Sequence, residues 1–342
     1  MNKIDILSMS LAKLVQWFTD RGEKSFRAKQ VLKWIYLRQA DSFEEMTDIR
    51  KDLRVTLSKH FEILRLSVED VQISTDGSQK YLLKLSDGQF VESVLMPEKN
   101  HYTLCISSQI GCAMGCKFCR TATLGLKRNL TAGEIIAQVR DAKYRATTMP
   151  LTNVVFMGMG EPLANVDNII LAIDAMVRTD SGLKISHNRI TVSTAGLVPQ
   201  MAILGKLTKV NLAISLNASN NDVRQQLMPI NQKYPITTLL TACKNYPITK
   251  KRRITFEYIL IQGINDRKED AIALTHLLHP KRAKINLIPY NEYPQSSFKA
   301  PSEDVIDMFL ETLAKNHFTV MVRRSKGQDI NAACGQLAGM YL

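Results

Sequence analysis

The sequence is poor in cysteine and has no long apolar run, and each shortage excludes a class of protein. Its 342 residues include six cysteines, too few for a small secreted domain held together by disulfides. No run approaches the roughly 18 apolar residues of a membrane-spanning helix, and residues 1–5 lack the apolar region of a signal peptide. We therefore expect a cytoplasmic protein with no membrane partner, in a compartment that keeps thiols reduced.

Acidic residues are too few to balance the basic ones. The chain has 45 Lys and Arg residues against 32 Asp and Glu residues, which gives a net charge of +13. An excess of this sign favours a polyanionic partner, and nucleic acid before a membrane surface. The alternative is a proteome that is basic throughout. Local basic clusters lie at 250–253, 281–284 and 323–326, and each of them could be only a solvated face.

The first part of the chain has a helical period. Residues 1–66 predict an N-terminal helical accessory module, in which Leu11, Leu14 and Phe18 recur at helical spacing. Its basic side chains could contact nucleic-acid phosphates or only keep the surface soluble. We expect its third helix to begin near Asp41, because acidic residues that suit a first helical turn follow there.

The period changes to that of strands over residues 67–97, which predict a β-meander. Asp76-Gly77 and Asp87-Gly88 are hairpin turn signals between alternating runs. Glu92 falls on the same face of the third strand as apolar neighbours. Burial there favours the neutral carboxyl and would suit a proton acceptor. Spacing alone favours the alternative, an edge strand with a solvated face.

The remainder, residues 98–342, alternates strands with helices. Such alternation predicts parallel strands with crossover helices. Fewer than eight units are present, so we expect an α/β fold with a partial (β/α) barrel and a site at the carboxyl ends of its strands. Thr131 and Glu134 form a capping-box pattern at the start of one helix. The predicted strands are 103–108, 152–157, 189–194, 210–216, 253–261, 284–289 and 318–323.

Three cysteines lie within eight positions. Cys112, Cys116 and Cys119 have C-x3-C-x2-C spacing. Structural zinc usually takes four protein ligands, whereas three thiolates suit a cubane iron–sulfur cluster with one iron left open. The spacing is similar to that of the radical S-adenosylmethionine (SAM) superfamily. Cys243, by contrast, lies among apolar residues of a predicted helix and is interpreted as a buried small side chain.

Glycine and polar residues recur where the predicted strands end. The segment Met157–Pro162 places Gly158 and Gly160 after one strand, where a ligand could approach the backbone closely. Each of the polar residues alone could belong to a turn. Their recurrence at the same end of successive strands is what a ligand at the barrel mouth requires. They are Glu161, Ser193, Ser215, Leu216, Asn217 and Asn291, with Leu216 included as part of the run 215–217.

Four segments together make a specific match. They resemble segments of the RlmN/Cfr family of radical SAM RNA adenosine methyltransferases. The four segments are Val91–Val94, Cys105–Gln109, Met157–Pro162 and Ala332–Gly335. The likeness runs over nearly the whole chain. The run 285–291 and the segment 336–339 are more similar to RlmN than to Cfr.

The resemblance implies two cofactors and an RNA substrate. Cys112, Cys116 and Cys119 are expected to hold a 4Fe-4S cluster whose open iron binds SAM. The expected substrate is 23S ribosomal RNA, methylated at C2 of one adenosine, with transfer RNA as a second substrate. The resemblance also implies an electron donor such as flavodoxin and a monomeric enzyme. The expected SAM-binding residues are Gly160, Glu161, Ser193, Ser215, Leu216, Asn217 and Asn291.

The resemblance further implies a methyl-cysteine mechanism. Cys334 is expected to be methylated by one SAM and then to lose hydrogen to a radical derived from a second. The carbon radical would add to the adenine ring, Glu92 would remove the ring proton, and Cys105 would release the product through a Cys105–Cys334 disulfide. Without the resemblance, both cysteines could be small buried residues.

Other functions stay open at this point. One is a Cfr-like C8 methyltransferase, and another is a non-enzymatic RNA-binding factor with an iron–sulfur cluster or zinc. A sulfur-inserting enzyme normally needs a second cluster, for which the other cysteines are too scattered. The chain departs from the family at Arg120, where a small residue is usual, and at Asn217, where RlmN members commonly have histidine.

Overall fold

The N-terminal helices follow the apolar spacing of the sequence. A computed structural model describes residues 3–249, 252–293 and 296–337. Leu14 and Phe18 are buried and Leu11 is half-buried, and the Ser10 hydroxyl caps the first helix by accepting from the Lys13 N–H. The two short strands of this module pair in parallel. Its elements are β1 (Ile4–Asp5), α1 (Leu11–Thr19), α2 (Phe26–Leu37), α3 (Lys51–His60) and β2 (Phe61–Glu62).

The third helix begins at Lys51, so the prediction of a start near Asp41 is wrong. The Glu45 carboxylate accepts from the backbone N–H groups of Asp41 and Ser42, at 3.1 and 2.9 Å, and from the Ser42 hydroxyl. These side-chain bonds satisfy the local backbone in a turn and compete with a helix. An acidic residue that would suit a first helical turn therefore stabilises a loop here.

The β-meander forms as predicted and continues the sheet of the core. Both hairpin turns place glycine at positive φ, +83° at Gly77 and +80° at Gly88, which glycine adopts without steric cost. The strands are β3 (Ser67–Ile73), β4 (Gln79–Lys84) and β5 (Phe90–Pro97), and they pair antiparallel. The strand that follows Pro97 pairs antiparallel with β5, so β5 is an interior strand.

The core is a partial barrel, which confirms the predicted α/β class. Each of the seven predicted strands forms, although the first ends at Cys105 instead of residue 108. Thr131 and Glu134 make the capping box of α5. The elements are β6 (Tyr102–Cys105), β7 (Gln109–Gly111), α4 (Arg120–Thr123), β8 (Leu126–Asn129), α5 (Ala132–Arg145), β9 (Leu151–Phe156), α6 (Val166–Val177), β10 (Ile190–Thr194), α7 (Val198–Leu207), β11 (Asn211–Ser215), α8 (Asn221–Leu227), α9 (Ile236–Asn245), β12 (Ile254–Leu260), α10 (Lys268–Leu277), β13 (Ala283–Pro289), α11 (Glu303–Lys315) and β14 (Thr319–Val322).

Sheet order brings the functional strands side by side. Over the described residues, ten strands follow the order β14-β13-β12-β11-β10-β9-β6-β5-β4-β3, and those from β14 to β6 are parallel. The register sets Ser215 beside Glu257, and Glu257 beside Asn286. Cys243 is buried in α9, as expected. No helix in the described part of the chain is long and apolar enough to cross a membrane.

Candidate active site

The three clustered cysteines follow β7 and line one cleft at the carboxyl ends of the strands. Gly115, between the first two, has a φ of +67°, a conformation that favours glycine. The Lys117 N–H donates to the Leu227 carbonyl at 2.9 Å, and the Cys112 N–H to the Gly125 carbonyl at 3.0 Å. The loop is therefore tied on two sides to the structure around it.

Burial dominates the chemistry of these thiols. It raises the pKa of Cys112 to about 12, and it raises the pKa values of Cys116 and Cys119 as well. The thiols are therefore protonated near neutral pH until metal binding displaces the protons. The described residues contain no group of three or more ligands placed to hold a single metal ion. A cubane distributes its irons over a larger volume, and three thiols around one cleft fit it.

The glycine-rich segment after β9 lines the same cleft as the cysteines. A Cβ atom on Gly158 would lie 2.7 Å from the Ile106 carbonyl oxygen, and one on Gly160 would lie 2.5 Å from Gln109 Cβ. Both positions therefore exclude larger residues. The Glu161 carboxylate accepts from the N–H groups of Leu163 and Ala195, at 2.9 and 2.7 Å. Burial raises the pKa of Glu161 although these two bonds oppose the shift.

The predicted SAM-binding residues divide into two groups. Gly160, Glu161, Ser193, Ser215 and Asn217 line the cleft of the three cysteines, and Leu216 and Asn291 are not among its lining residues in the described part of the chain. Leu216 is buried, and its backbone N–H donates to the Glu257 carbonyl at 3.0 Å.

Asn217 and Asn291 both hold neighbouring backbone. Asn217 has a φ of +57°, and its side-chain carbonyl accepts from the Ile259 N–H at 2.9 Å. Asparagine tolerates this conformation better than most residues. Asn291 donates to the Ser325 hydroxyl at 2.9 Å and to the Cys334 carbonyl at 3.1 Å. In this structure Asn291 therefore positions the segment that carries Cys334.

Cys105 and Cys334 line a second cavity, of about 420 Å³, inside the barrel. Cys334 also lines the cleft of the three cysteines, so it lies where the two spaces meet. Both thiols are free. Burial raises the pKa of Cys105 to about 12, and the nearby Cys334 adds to the shift. Electrostatic interaction with Cys334, and then with Glu257, raises the pKa of the Arg323 guanidinium, which lines both spaces.

The segment around Cys334 is fixed mainly through backbone groups. The Arg120 N–H donates to the Gly335 carbonyl at 2.7 Å, and the Thr121 hydroxyl to the Leu337 carbonyl at 2.6 Å. Because Arg120 acts through its N–H, its larger side chain leaves this contact intact. Of the terminal segment 336–339, residues 338 and 339 lie outside the described residues.

Glu92 is buried, so the expectation of a solvated edge strand is wrong. Only 2% of its surface is exposed, because β5 has a partner strand on each side. Lys80 on β4 places its Nζ 3.6 Å from Glu92 Oε1. Within the described part of the chain, Glu92 is not among the residues that line either space.

Sequence reasoning missed two buried charges beside the site. Glu257 is 5% exposed and lines both spaces. Asn286 donates to its Oε1 at 3.0 Å, and Oε2 has no hydrogen-bond partner among the described residues. Burial raises the pKa of Glu257. The available signal was a lone acid within strand 254–260, whose other residues are uncharged.

Arg224 is the second missed charge. It is fully buried, and its guanidinium donates to the carbonyls of Ala195 and Leu216, at 2.7 and 3.2 Å. Burial lowers the pKa of Arg224 to about 10. The side chain joins the loops that follow β10 and β11, which carry the predicted SAM-binding residues. No local sequence pattern indicates that this arginine of α8 points inward.

Comparisons with known proteins agree with this geometry. The family model described as "Ribosomal RNA large subunit methyltransferase N-terminal domain" matches residues 4–63, and that of the "Radical SAM superfamily" matches residues 106–275. A solved structure of a radical SAM methyltransferase from Sphaerobacter thermophilus matches with a TM-score of 0.92 and 40% identity, over 98% of this chain and 99% of that one.

Curated relatives match over almost the full length. The dual-specificity RNA methyltransferase RlmN of Desulfosudis oleivorans is 51% identical over 98% of this chain and 90% of its own. That of Geobacter sulfurreducens is 52% identical over 98% of this chain and 92% of its own. Identity at this level across both the N-terminal module and the barrel confirms the resemblance, and the chain belongs to the RlmN family of the radical SAM superfamily.

Proposed function

We propose that this chain methylates C2 of a specific adenosine in 23S ribosomal RNA, and an adenosine of transfer RNA, through a methyl-cysteine intermediate. Family membership supplies the coarser statement, a SAM-dependent RNA methyltransferase with a 4Fe-4S cluster. One observation carries the finer proposal: Cys334 lies where the cysteine cleft meets the cavity that also contains Cys105. A methyl carrier needs access to both the cofactor and the base.

Residues of the cleft suit the two cofactors. In this proposal Cys112, Cys116 and Cys119 hold the cluster, and Gly160 and Glu161, which line the same cleft, bind SAM. When bound, the cluster and SAM supply the one-electron chemistry that a carbon as unreactive as adenine C2 requires. The protein positions the reacting groups and excludes water from them.

Two cysteines and one carboxylate perform the remaining steps. Cys334 carries the methyl group to the base, and Asn291 fixes its backbone. Cys105, as a thiolate, then attacks the sulfur of Cys334, so that a disulfide forms as the bond from Cys334 to the methylene carbon breaks. The electron pair of that bond stays with the methylene carbon, which takes up a proton to become the methyl group, and a thiol reductant returns the disulfide to two thiols before the next turnover. Glu92 accepts the proton that leaves the ring carbon. Because Glu92 is buried beside Lys80 and lines neither space within the described residues, the proton must reach it through an intervening water or polar group.

The substrate follows from charge and from the relatives. The similar proteins are described as dual-specificity RNA methyltransferases, and a net charge of +13 suits a polyanion. Similarity to RlmN over the whole chain favours C2 above the C8 position of Cfr-like enzymes. A monomeric enzyme, a cytoplasmic location and a flavodoxin-type electron donor belong to the same proposal.

Mass spectrometry of RNA tests this function directly. Ribosomal and transfer RNA from cells with and without the gene are digested to nucleosides, with a strain that carries Cys334→Ala as the control. We expect 2-methyladenosine only with the intact gene. A product with 8-methyladenosine would assign the Cfr-like alternative. Zinc without iron and sulfide in protein purified without oxygen, together with unchanged RNA, would support the non-enzymatic alternative.

A further inference from the structure

Lys80 is a buried cation that joins two parts of the chain. The residue is 5% exposed. Its Nζ lies 3.6 Å from Glu92 Oε1 and donates to the Ile330 carbonyl at 2.6 Å. Lysine is almost never fully buried without a partner, and removing its charge from water costs several kcal/mol in general. The observed contacts offset that cost, and they give the side chain one defined position.

Ile330 belongs to the segment that carries Cys334, which we define as residues 327–335. Its start is docked on the first hairpin of the β-meander. The Gly327 N–H donates to Asp76 Oδ2 at 2.9 Å. The Asp329 carboxylate accepts from the Ser74 hydroxyl at 2.6 Å and from the Thr75 N–H at 3.0 Å. The meander therefore holds the Cys334 segment at several points.

Lys80 differs from these hairpin contacts in both burial and position. The hairpin contacts use the exposed residues Asp76 and Asp329, where water competes for the carboxylates. Lys80 is buried, and its Nζ contacts both Glu92 and the Cys334 segment. Ile330 precedes Cys334 by four positions. It lies in a turn that is closed by a hydrogen bond from the Ala332 N–H to the Gly327 carbonyl at 2.8 Å.

We propose that Lys80 is a positioning residue that fixes Glu92 and the Cys334 segment relative to each other. The proposed reaction needs the methyl carrier and the proton acceptor at one ring carbon, and this geometry must hold to within about 0.5 Å for efficient chemistry. A single ammonium that donates to the Ile330 carbonyl and forms an ion pair with Glu92 supplies that constraint. The effect of Lys80 on catalysis rests on the proposed function. Its effect on the position of the Cys334 segment does not depend on that function.

The test compares Lys80→Met with Lys84→Met in the cluster-loaded protein. Lys84 lies on the same strand but is exposed, so it is the matched control. The first readout is the rate at which Cys334 is alkylated by iodoacetamide, followed by peptide mass spectrometry. Loss of a charge-assisted hydrogen bond should raise that rate about tenfold or more in Lys80→Met, and Lys84→Met should match the wild type.

The second readout is turnover. Lys80→Met should keep its iron and sulfide content, its reductive SAM cleavage and its KM for RNA, and it should lose at least about tenfold in kcat for RNA methylation. Lys80→Arg, which can donate to both partners, should recover part of that loss and restore protection of Cys334. Wild-type alkylation and wild-type kcat in Lys80→Met would overturn the proposal.

Folding is a separate outcome, because removing Lys80 leaves Glu92 as a buried charge. If Lys80→Met does not fold, the double variant Lys80→Met/Glu92→Gln, which carries neither charge, replaces it in the alkylation test. The same tenfold rise is expected there, and wild-type protection would again contradict the role of Lys80. If the wild-type enzyme fails to methylate RNA, the proposed function is refuted. The alkylation comparison would still show whether Lys80 holds the Cys334 segment in place.

Discussion

At the scale of single residues, this site depends on side chains whose position is set by burial. Cys105 and Cys334 line one cavity, yet only Cys334 also lines the cleft of the three cluster cysteines. That difference in access separates their proposed roles. Cys334 must contact both the cofactor and the base, whereas Cys105 needs to contact only Cys334.

The first prediction uses this separation. Cys105→Ala should form the bond to RNA and then accumulate as a covalent protein–RNA adduct, because the thiol that releases Cys334 is gone. A nuclease-sensitive shift on a denaturing gel measures the adduct. Cys334→Ala and the double variant should form none, and Cys243→Ala, at a buried cysteine outside both spaces, is the control. Normal turnover by Cys105→Ala would contradict the methyl-cysteine mechanism.

The second prediction concerns Gly160. An added Cβ would lie 2.5 Å from Gln109 Cβ, and φ is +98°. Gly160→Ala should therefore cost about 2–4 kcal/mol in folding free energy, the sum of backbone strain and overpacking. Gly22→Ala is the control for strain alone, since Gly22 has a φ of +71° with nothing within 4 Å of the added atom.

Thermal unfolding measures the two variants side by side. The loss in Tm should be clearly larger for Gly160→Ala, and this variant alone should bind SAM more weakly. Equal losses in Tm with unchanged SAM affinity would mean that the close approach at Gly160 has no role in the site.

At the scale of elements, the site is assembled from loops that follow parallel strands. The capping box of α5, with Glu134 also bonded to Arg128 at 2.8 and 2.9 Å, fixes the start of the helix that follows the cysteine loop and β8. The loops after β10 and β11 are joined by Arg224, which donates to carbonyls of both. The barrel strands alone would not fix these loops relative to one another.

The third prediction tests that role of Arg224. Arg224→Met removes several donors at once and leaves buried carbonyls unpaired, so it should destabilise the protein by at least about 3 kcal/mol. SAM affinity should fall as well, because Ser215 and Asn217 lie beside the affected loop. Arg267→Met is the control, as the Arg267 side chain is 63% exposed. Equal melting temperatures and SAM affinities in the two variants would show that Arg224 does not hold the loops.

At the scale of the whole molecule, the three segments of the chain form one connected structure. The meander shares its sheet with the barrel. The N-terminal module docks on α5, where buried Arg140 donates to the Ile35 carbonyl at 3.1 Å and Arg65 pairs with Asp141. Several basic side chains of the module pair with acids, as Lys29 does with Asp180 at 2.8 Å. The whole chain still has a net charge of +13.

The fourth prediction follows from that charge. Binding of an RNA hairpin with the target adenosine in its loop should weaken at least about a hundredfold between roughly 50 and 200 mM salt, because phosphate contacts release counterions. Filter binding at several salt concentrations gives the slope. The same hairpin without the target adenosine should show a similar slope with lower affinity. A flat salt dependence would argue against electrostatic recognition of RNA.

Much of the fold and part of the site could be predicted from the sequence. The cysteine spacing, the Asp-Gly turns, the capping box and the alternation of strands with helices are local patterns, and they act over a few residues. Recurrent polar residues at strand ends also predicted the cleft, where Ser193 and Ser215 lie with Glu161. These features are determined by neighbours in the chain, so a single sequence is enough to read them.

The sequence by itself therefore determined the fold class and the chemistry that the three cysteines support. Only the tertiary structure decided the burial of Glu92, the inward direction of Arg224 and Glu257, and the late start of α3. Each depends on partners that are distant in sequence or on a choice between competing hydrogen bonds. Lys80 shows the reason most clearly: its partner Ile330 lies 250 positions away, and no local pattern encodes such a contact.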